Sequence, residues 1–139
     1  MRQIESDRVG VDVLKMLLVD DEARLLNALQ RLISSQPDMR VVGCLNQADN
    51  LEATVAAAEP TIVIIDHGMP GRDPFEAIRC LAESHPPVRA IVYSGQSGET
   101  IVNAAIEAKA WGWIDKLANP ADILTTIRRV GAGEVVFPE

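Results

Sequence analysis

The sequence is short of cysteine, histidine, aromatics and positive charge, and each shortage removes a class of protein. Cys44 and Cys80 lie far apart with no Cys-x-x-Cys spacing, which excludes a disulfide scaffold and a zinc ribbon. They read as free thiols in a reducing compartment, each expected to fill the place of a small buried hydrophobe. His67 and His85 are too few and too separated for a histidine metal site, and both are expected at the surface. With two Trp, two Phe and one Tyr, the core must be built from Val, Ile, Leu and Ala. No apolar run reaches the length of a membrane span. Residues 1–14, which include Arg2, Glu5, Asp7, Arg8 and Asp12, lack the apolar stretch of a secretory signal. A cytoplasmic location without membrane attachment is the expectation. Lys and Arg total 13 against 20 Asp and Glu, a net charge of -7, so direct nucleic-acid binding by this segment is not expected.

What is present is alternation. The length suits one domain, read as a polar leader over 1–14, a folded unit over 15–133, and a tail or start of a linker over 134–139. The apolar run Lys15 to Val19 stops at Asp20-Asp21, as a buried strand feeding a loop does. Leu25, Leu26, Leu29, Leu32 and Ile33 then recur at helical spacing. Val41 to Leu45 makes a second strand, and Leu51, Val55 and Ala58 mark a helix that stops before Pro60. Thr61 to Ile65 is a continuous β-branched run, apolar on both faces, the mark of a central parallel strand covered by helices on both sides, and it delivers Asp66 to its carboxyl end.

A helix with Phe75, Ile78 and Leu81 follows, then a strand over Val88 to Tyr93 and a flexible loop from Ser94 to Gly98. Ile101, Val102, Ala105 and Ile106 form a helix and Trp111 to Asp115 a fifth strand. Pro120 opens a last helix with Ile123, Leu124, Ile127 and Val130 inward. Trp111 is expected to pack in the core, with Trp113 as the exposed one and a partner contact. Five strands alternating with five helices imply an α/β fold, a doubly wound (βα)5, flavodoxin-like parallel sheet of strand order 2-1-3-4-5.

In such a sheet ligands bind beyond the carboxyl ends of the strands. Asp20 and Asp21 follow strand 1, Asp66 strand 3, Ser94 strand 4 and Lys116 strand 5, all on that edge. Crowded carboxylates raise one another's pKa unless a cation compensates. Hard oxygen ligands suit Mg²⁺, which is held by one or two carboxylates together with a phosphate. A carboxylate can attack phosphorus to form an acyl phosphate, and Asp66 is placed for it. The metal and Lys116 would neutralise the transferring oxygens, and Ser94 would hydrogen-bond one of them. Taken singly, Asp20, Asp21 and Glu22 could only charge a helix N-terminus, Ser94 turn a loop and Lys116 point to solvent. Their joint placement at successive strand ends favours the site. Gly95-Gln96-Ser97-Gly98 lacks the lysine of a nucleotide-binding loop.

These motifs resemble the response-regulator receiver family over about residues 15–133. Leu18-Val19-Asp20-Asp21-Glu22 is similar to its acidic pair, and Ile64-Ile65-Asp66-His67-Gly68-Met69-Pro70-Gly71 to its phosphorylation loop. Val92-Tyr93-Ser94-Gly95 is similar to its hydroxyl strand, and Gly112-Trp113-Ile114-Asp115-Lys116 to its lysine strand. The last third resembles the NarL-type branch, whose receivers precede a LuxR-type helix-turn-helix. The chain is then either a receiver cut from a transcription factor or a stand-alone receiver acting through protein contacts.

The resemblance implies that Asp66 accepts phosphate from a sensor histidine kinase or phosphotransfer protein. It implies Mg²⁺ bound directly by Asp21, Asp66 and the Gly68 carbonyl, with Asp20 acting through water. Lys116 would pair with the phosphoryl group, Ser94 would move toward it, and Trp113 would be the aromatic switch. A homodimer formed on phosphorylation is a further implication. Such a domain catalyses only its own phosphorylation and dephosphorylation and is not otherwise an enzyme. Three departures stand out: Trp113 in place of Tyr or Phe, Leu117 where the wider family has proline, and Gly68, which puts no side chain over the site and implies a short-lived phosphate. Phosphatases with an Asp nucleophile need a second Asp where Gly68 stands, which ranks that alternative low, and the acidic site argues against a phosphorylation-independent docking module.

Overall fold

The computed structural model describes residues 13–138. The elements run β1 Leu14–Val19, α1 Ala23–Ser34, β2 Met39–Leu45, α2 Leu51–Ala58, β3 Ile62–Asp66, α3 Pro74–Ser84, β4 Arg89–Ser94, α4 Glu99–Glu107, β5 Gly112–Asp115 and α5 Pro120–Gly131. The strands form one parallel sheet in the order β2-β1-β3-β4-β5, as the alternation predicts. Strand order reverses between β1 and β3, so their carboxyl ends flank the crevice where such sheets bind ligands.

Period-two alternation divides the core into two layers. Val63 and Ile65 of β3 pack with Leu51, Val55, Ile78, Leu81 and Val102 on the face of α2, α3 and α4. Ile62 and Ile64 point the other way, to Leu29 and Ile33 of α1 and Ile127 and Val130 of α5. Every residue of β3 is buried, which is why its sequence carries no polar alternation before Asp66. The helices start where capping chemistry permits. Asp73 and Asn119 accept the N–H groups of Phe75 and Asp122 at 3.0 and 2.8 Å, with Pro74 and Pro120 at the first helical position.

Two expectations are corrected. Cys44 is exposed, because β2 is an edge strand, and Cys80 is only half-buried. The tryptophans are reversed: Trp113 is 5% exposed within the core, while Trp111 is half-buried with the Arg89 guanidinium 4.8 Å above its ring. Residues two apart in a strand share a face, but Trp111 precedes β5 and so escapes that alternation. The segment after α5, read from sequence as a tail or the start of a linker, runs along the outer edge of β5. Val136 donates its N–H to the Trp111 carbonyl at 2.9 Å and accepts the N–H of Trp113 at 3.0 Å, forming a parallel bridge opposite Gly112. Ile123, Ile127 and Val130 are buried, as expected. Most of the leader, residues 1–12, lies outside the described residues. Among the described residues no helix is long and apolar enough to cross a membrane.

Candidate functional site

The sheet delivers the polar residues to one edge through its backbone bonds. Asp66 is the last residue of β3, 3% exposed, and pairs in register with Tyr93 of β4. The ladder runs one step further, with the His67 N–H on the Tyr93 carbonyl at 3.0 Å. Beyond β5, the Lys116 N–H reaches the Ser94 carbonyl at 2.8 Å, which sets Lys116 beside the ends of β4 and β3. Its Nζ lies 2.8 Å from Asp66 Oδ1, and the Gly68 N–H donates to the same oxygen at 3.1 Å. Lys116 also stands 5.6 Å from the Tyr93 ring centroid, a cation–π contact not foreseen from sequence.

From β1 come Asp20, 2% exposed, and Asp21, exposed at the rim. Oxygens of Asp20, Asp21 and Asp66 all lie within 4.8 Å of one another, so the three predicted carboxylates do meet. Fully ionised, three carboxylates against the single Lys116 ammonium leave two negative charges, which a divalent cation would balance. Asp20 shows the same need. Its Oδ1 accepts the Glu22 N–H at 2.9 Å, whereas its buried Oδ2 has no hydrogen-bond partner among the described residues. Burial above all, reinforced by the Asp66 charge, pushes the Asp20 carboxyl from its ordinary 3.8 up to about 6, against the pull of the Glu22 N–H and Lys116. For Lys116, burial works against the charge, but the hydrogen bond to Asp66 and the surrounding carboxylates raise its pKa on balance. Oxygen donors of this kind, one of them buried and unsatisfied, fit Mg²⁺.

Ser94 is brought to the edge but not to Asp66. Although only 1% exposed, its hydroxyl turns into the β4–α4 loop, donating to the Gln96 carbonyl at 2.9 Å and accepting the Gln96 N–H at 3.0 Å. Gln96 is thus a partner that sequence reasoning missed, although a serine opening a Gly-rich loop is the usual signal of such a side-chain turn. A Cβ added at Gly68 would find its nearest neighbour, Asp66 Oδ1, at 3.9 Å, so a side chain would fit there and glycine leaves the rim open. Among the described residues no peptide bond is cis, so Lys116–Leu117 is trans, and the Leu117 side chain is 91% exposed beside the site.

Arg72 was not singled out from the sequence, yet it fixes the far end of the β3–α3 loop. Its guanidinium grips both Glu52 oxygens at 2.5 and 2.6 Å, Glu76 at 2.6 Å and the Ala48 carbonyl at 3.3 Å.

The family model described as the response regulator receiver domain matches residues 16–128. The nitrate/nitrite response regulator protein NarL of Escherichia coli K12 is 34% identical over 127 residues, covering 89% of this chain and 57% of that protein. The response regulator GacA of Pseudomonas syringae is 30% identical over 125 residues, 88% of this chain and 57% of its own length. This chain therefore spans 57% of the length of these two relatives. Among solved structures, a LuxR-family two-component response regulator from Aurantimonas sp. SI85-9A1 superposes with a TM-score of 0.85 at 26% identity, covering 90% of this chain and 89% of that one.

Proposed function

The chain belongs to the response-regulator receiver family, and from that premise we propose that Asp66 takes a phosphoryl group from the phosphohistidine of a sensor kinase or phosphotransfer protein. It is a NarL/LuxR-like receiver domain of a two-component response regulator. The observation that carries the phosphoacceptor reading is the buried Asp66 carboxylate, held by Lys116 and the Gly68 N–H beside the carboxylates of Asp20 and Asp21 that follow β1.

Asp66 Oδ1 is engaged by two donors, which leaves Oδ2 as the attacking atom. The carboxylate forms an O–P bond as the P–N bond to the donor histidine breaks, and the electron pair leaves with the imidazole. Asp21, Asp66 and the Gly68 carbonyl would hold Mg²⁺, with Asp20 acting through water. When bound, the ion offsets charge on the phosphoryl oxygens. Lys116, already ionised beside Asp66, supplies the second positive charge. Ser94 exchanges Gln96 for a phosphoryl oxygen, and Trp113 shifts with it as the aromatic switch. The open rim at Gly68 admits water to the acyl phosphate and shortens its life. Phosphorylation would act on a LuxR-type DNA-binding domain or on a protein partner, and through a homodimer.

The test is incubation with Mg²⁺ and acetyl phosphate, followed by intact-mass measurement. A single added phosphoryl group that is lost in Asp66→Asn supports the reading. A wild-type chain that stays unmodified and also fails to bind beryllofluoride, which is not lost by hydrolysis of an acyl phosphate, overturns it.

A further inference from the structure

We propose that Tyr93 is a positioning residue for phosphorylation: its ring is the platform over which the Lys116 ammonium reaches Asp66, and it keeps the ammonium there once the carboxylate has become an acyl phosphate. The proposal rests on the phosphoacceptor reading of Asp66 and adds to it a residue that acts through Lys116.

The need for a platform follows from the strand order. Lys116 comes off the end of β5 and Asp66 ends β3, with β4 between them. Neighbouring strands lie about 4.8 Å apart, so the ammonium has to cover about 10 Å sideways and pass over the end of β4. Tyr93 stands on that path. Asp66, Tyr93 and Ile114 are opposite one another in register on the three strands, and Lys116 lies two residues beyond Ile114. Period-two alternation puts the registered side chains on one face. Ile64, two residues before Asp66, Ile91, two before Tyr93, and Ile114 all belong to the α1/α5 layer, as Tyr93 itself does. The Nζ atom that ends 2.8 Å from Asp66 Oδ1 is 5.6 Å from the centre of the Tyr93 ring, within range of a cation–π attraction.

The ring is fixed and the lysine is not. Tyr93 is 4% exposed in the cluster that holds Ile91, Ile114 and Ile123, and its carbonyl takes the His67 N–H at 3.0 Å. Lys116 is a long flexible stem just outside β5, its side chain 19% exposed. Before transfer, the Asp66 charge selects the rotamer that points inward. Formation of the O–P bond takes that charge from the carboxylate and so dissolves the ion pair. A ring quadrupole is not consumed in the step, and it holds the ammonium while negative charge arrives on the phosphoryl oxygens. Burial first, and then the Asp20 charge, push the Tyr93 phenol above its ordinary 10, against the pull of Lys116, so the ring stays an uncharged phenol. Many hydrophobic side chains could fill this place in the core. Only an aromatic one turns a negative face to an ammonium, so substitution can separate the two roles.

The test compares initial rates of phosphorylation of the full chain by acetyl phosphate in Mg²⁺, read by intact mass in quenched samples. Tyr93→Leu and Tyr93→Met, checked for native circular dichroism, are expected to react about tenfold more slowly, the scale of a desolvated cation–π contact. Tyr93→Phe, which keeps the ring, is expected to restore the rate to within about twofold of wild type. In a Lys116→Met background, Tyr93→Leu is expected to cost nothing further, because the group it positions is gone. Without any substitution, the Lys116 ε-methylene protons are expected upfield of an ordinary lysine's in NMR spectra, both in Mg²⁺ alone and with beryllofluoride bound.

Aliphatic variants as fast as wild type, a Phe variant as slow as the Leu variant, or a loss that persists in the Lys116→Met background would each overturn the positioning role alone. So would ordinary Lys116 shifts in the beryllofluoride complex. A wild-type chain that neither takes a phosphoryl group nor binds beryllofluoride overturns the phosphoacceptor reading, and the role of Tyr93 with it.

Discussion

Charge is handled in opposite ways at the carboxyl end of the sheet and on its flanks. At the sheet end Asp20 and Asp66 are almost fully buried, one ammonium serves three carboxylates, and Asp20 Oδ2 has no partner among the described residues. On the flank Arg72 satisfies Glu52 through both oxygens and reaches Glu76 and a carbonyl as well, while Arg128 closes on Asp38 at 2.8 Å. The flank pairs are complete and tie one element to another. The sheet-end cluster is deficient in positive charge, and under the proposed function a cation and a phosphoryl group would act on that deficit. Groups that hold the fold should therefore be separable by mutation from groups that hold the chemistry.

The sharpest separation is expected at Lys116. Lys116→Met removes the ammonium that pairs with Asp66 and should slow phosphorylation of Asp66 by acetyl phosphate about 100-fold, the scale of losing one charge-stabilising donor. Its circular dichroism should stay native, and single-turnover kinetics give the rate. Asp20→Asn should go the other way on stability. Removing a carboxylate charge that burial first, and the Asp66 charge second, disfavours is expected to stabilise the chain by about 2 kcal/mol at pH 8 in Mg²⁺-free buffer, measured by urea unfolding. Because the folded Asp20 pKa is raised to about 6, the wild type loses stability as pH rises through that value and recovers it below 3.8. The advantage of the variant should therefore fade on acidification, and a constant advantage from pH 8 to pH 4 would refute the assignment.

Arg72→Ala should invert that pattern. Loss of the bidentate pair and the Ala48 carbonyl bond is expected to destabilise the fold by about 2 kcal/mol while leaving the phosphorylation rate within about twofold. A rate loss like that of Lys116→Met would erase the distinction between flank and sheet end. The smallest effect belongs to acid. Asp38 is held below its ordinary 3.8 chiefly by the Arg128 hydrogen bond, and Glu52 below 4.5 by Arg72. Depressed folded values mean that the stability these pairs lend is present above the unfolded values and is lost as pH falls through the folded ones. Arg128→Ala should move the acid-unfolding midpoint only slightly upward, since the pair is largely solvated.

Most of the fold was legible because each strand is a short apolar run, each helix has a 3.6-residue stripe, and proline or an Asx cap marks several of the boundaries. The five polar residues of the cluster were legible for a related reason: they interrupt apolar runs at successive strand ends. What stayed hidden depends on tertiary context. Val135-Val136-Phe137 is too short and too close to Gly133 and Pro138 to read as a strand, and its pairing with β5 depends on Gly112, more than twenty residues earlier in the chain. Neither Arg72 nor Gln96 carries a periodic signal; one is defined by carboxylates on two helices and the other by a backbone that only bends around Ser94 in the folded chain. The places of Trp111 and Trp113 could not be ordered without knowing where β5 begins.

The chain contains two tryptophans, and the fold has placed them in contrasting surroundings. One indole is sealed from water with its N–H unbonded among the described residues, three positions from Lys116, while the other lies half in solvent beneath a guanidinium. Their emission should differ in colour, the sealed ring to the blue and the wetted one to the red. Events at the sheet end would thus be recorded in the protein's own light, without a label, and Trp111→Phe would leave a single optical reporter inside the domain.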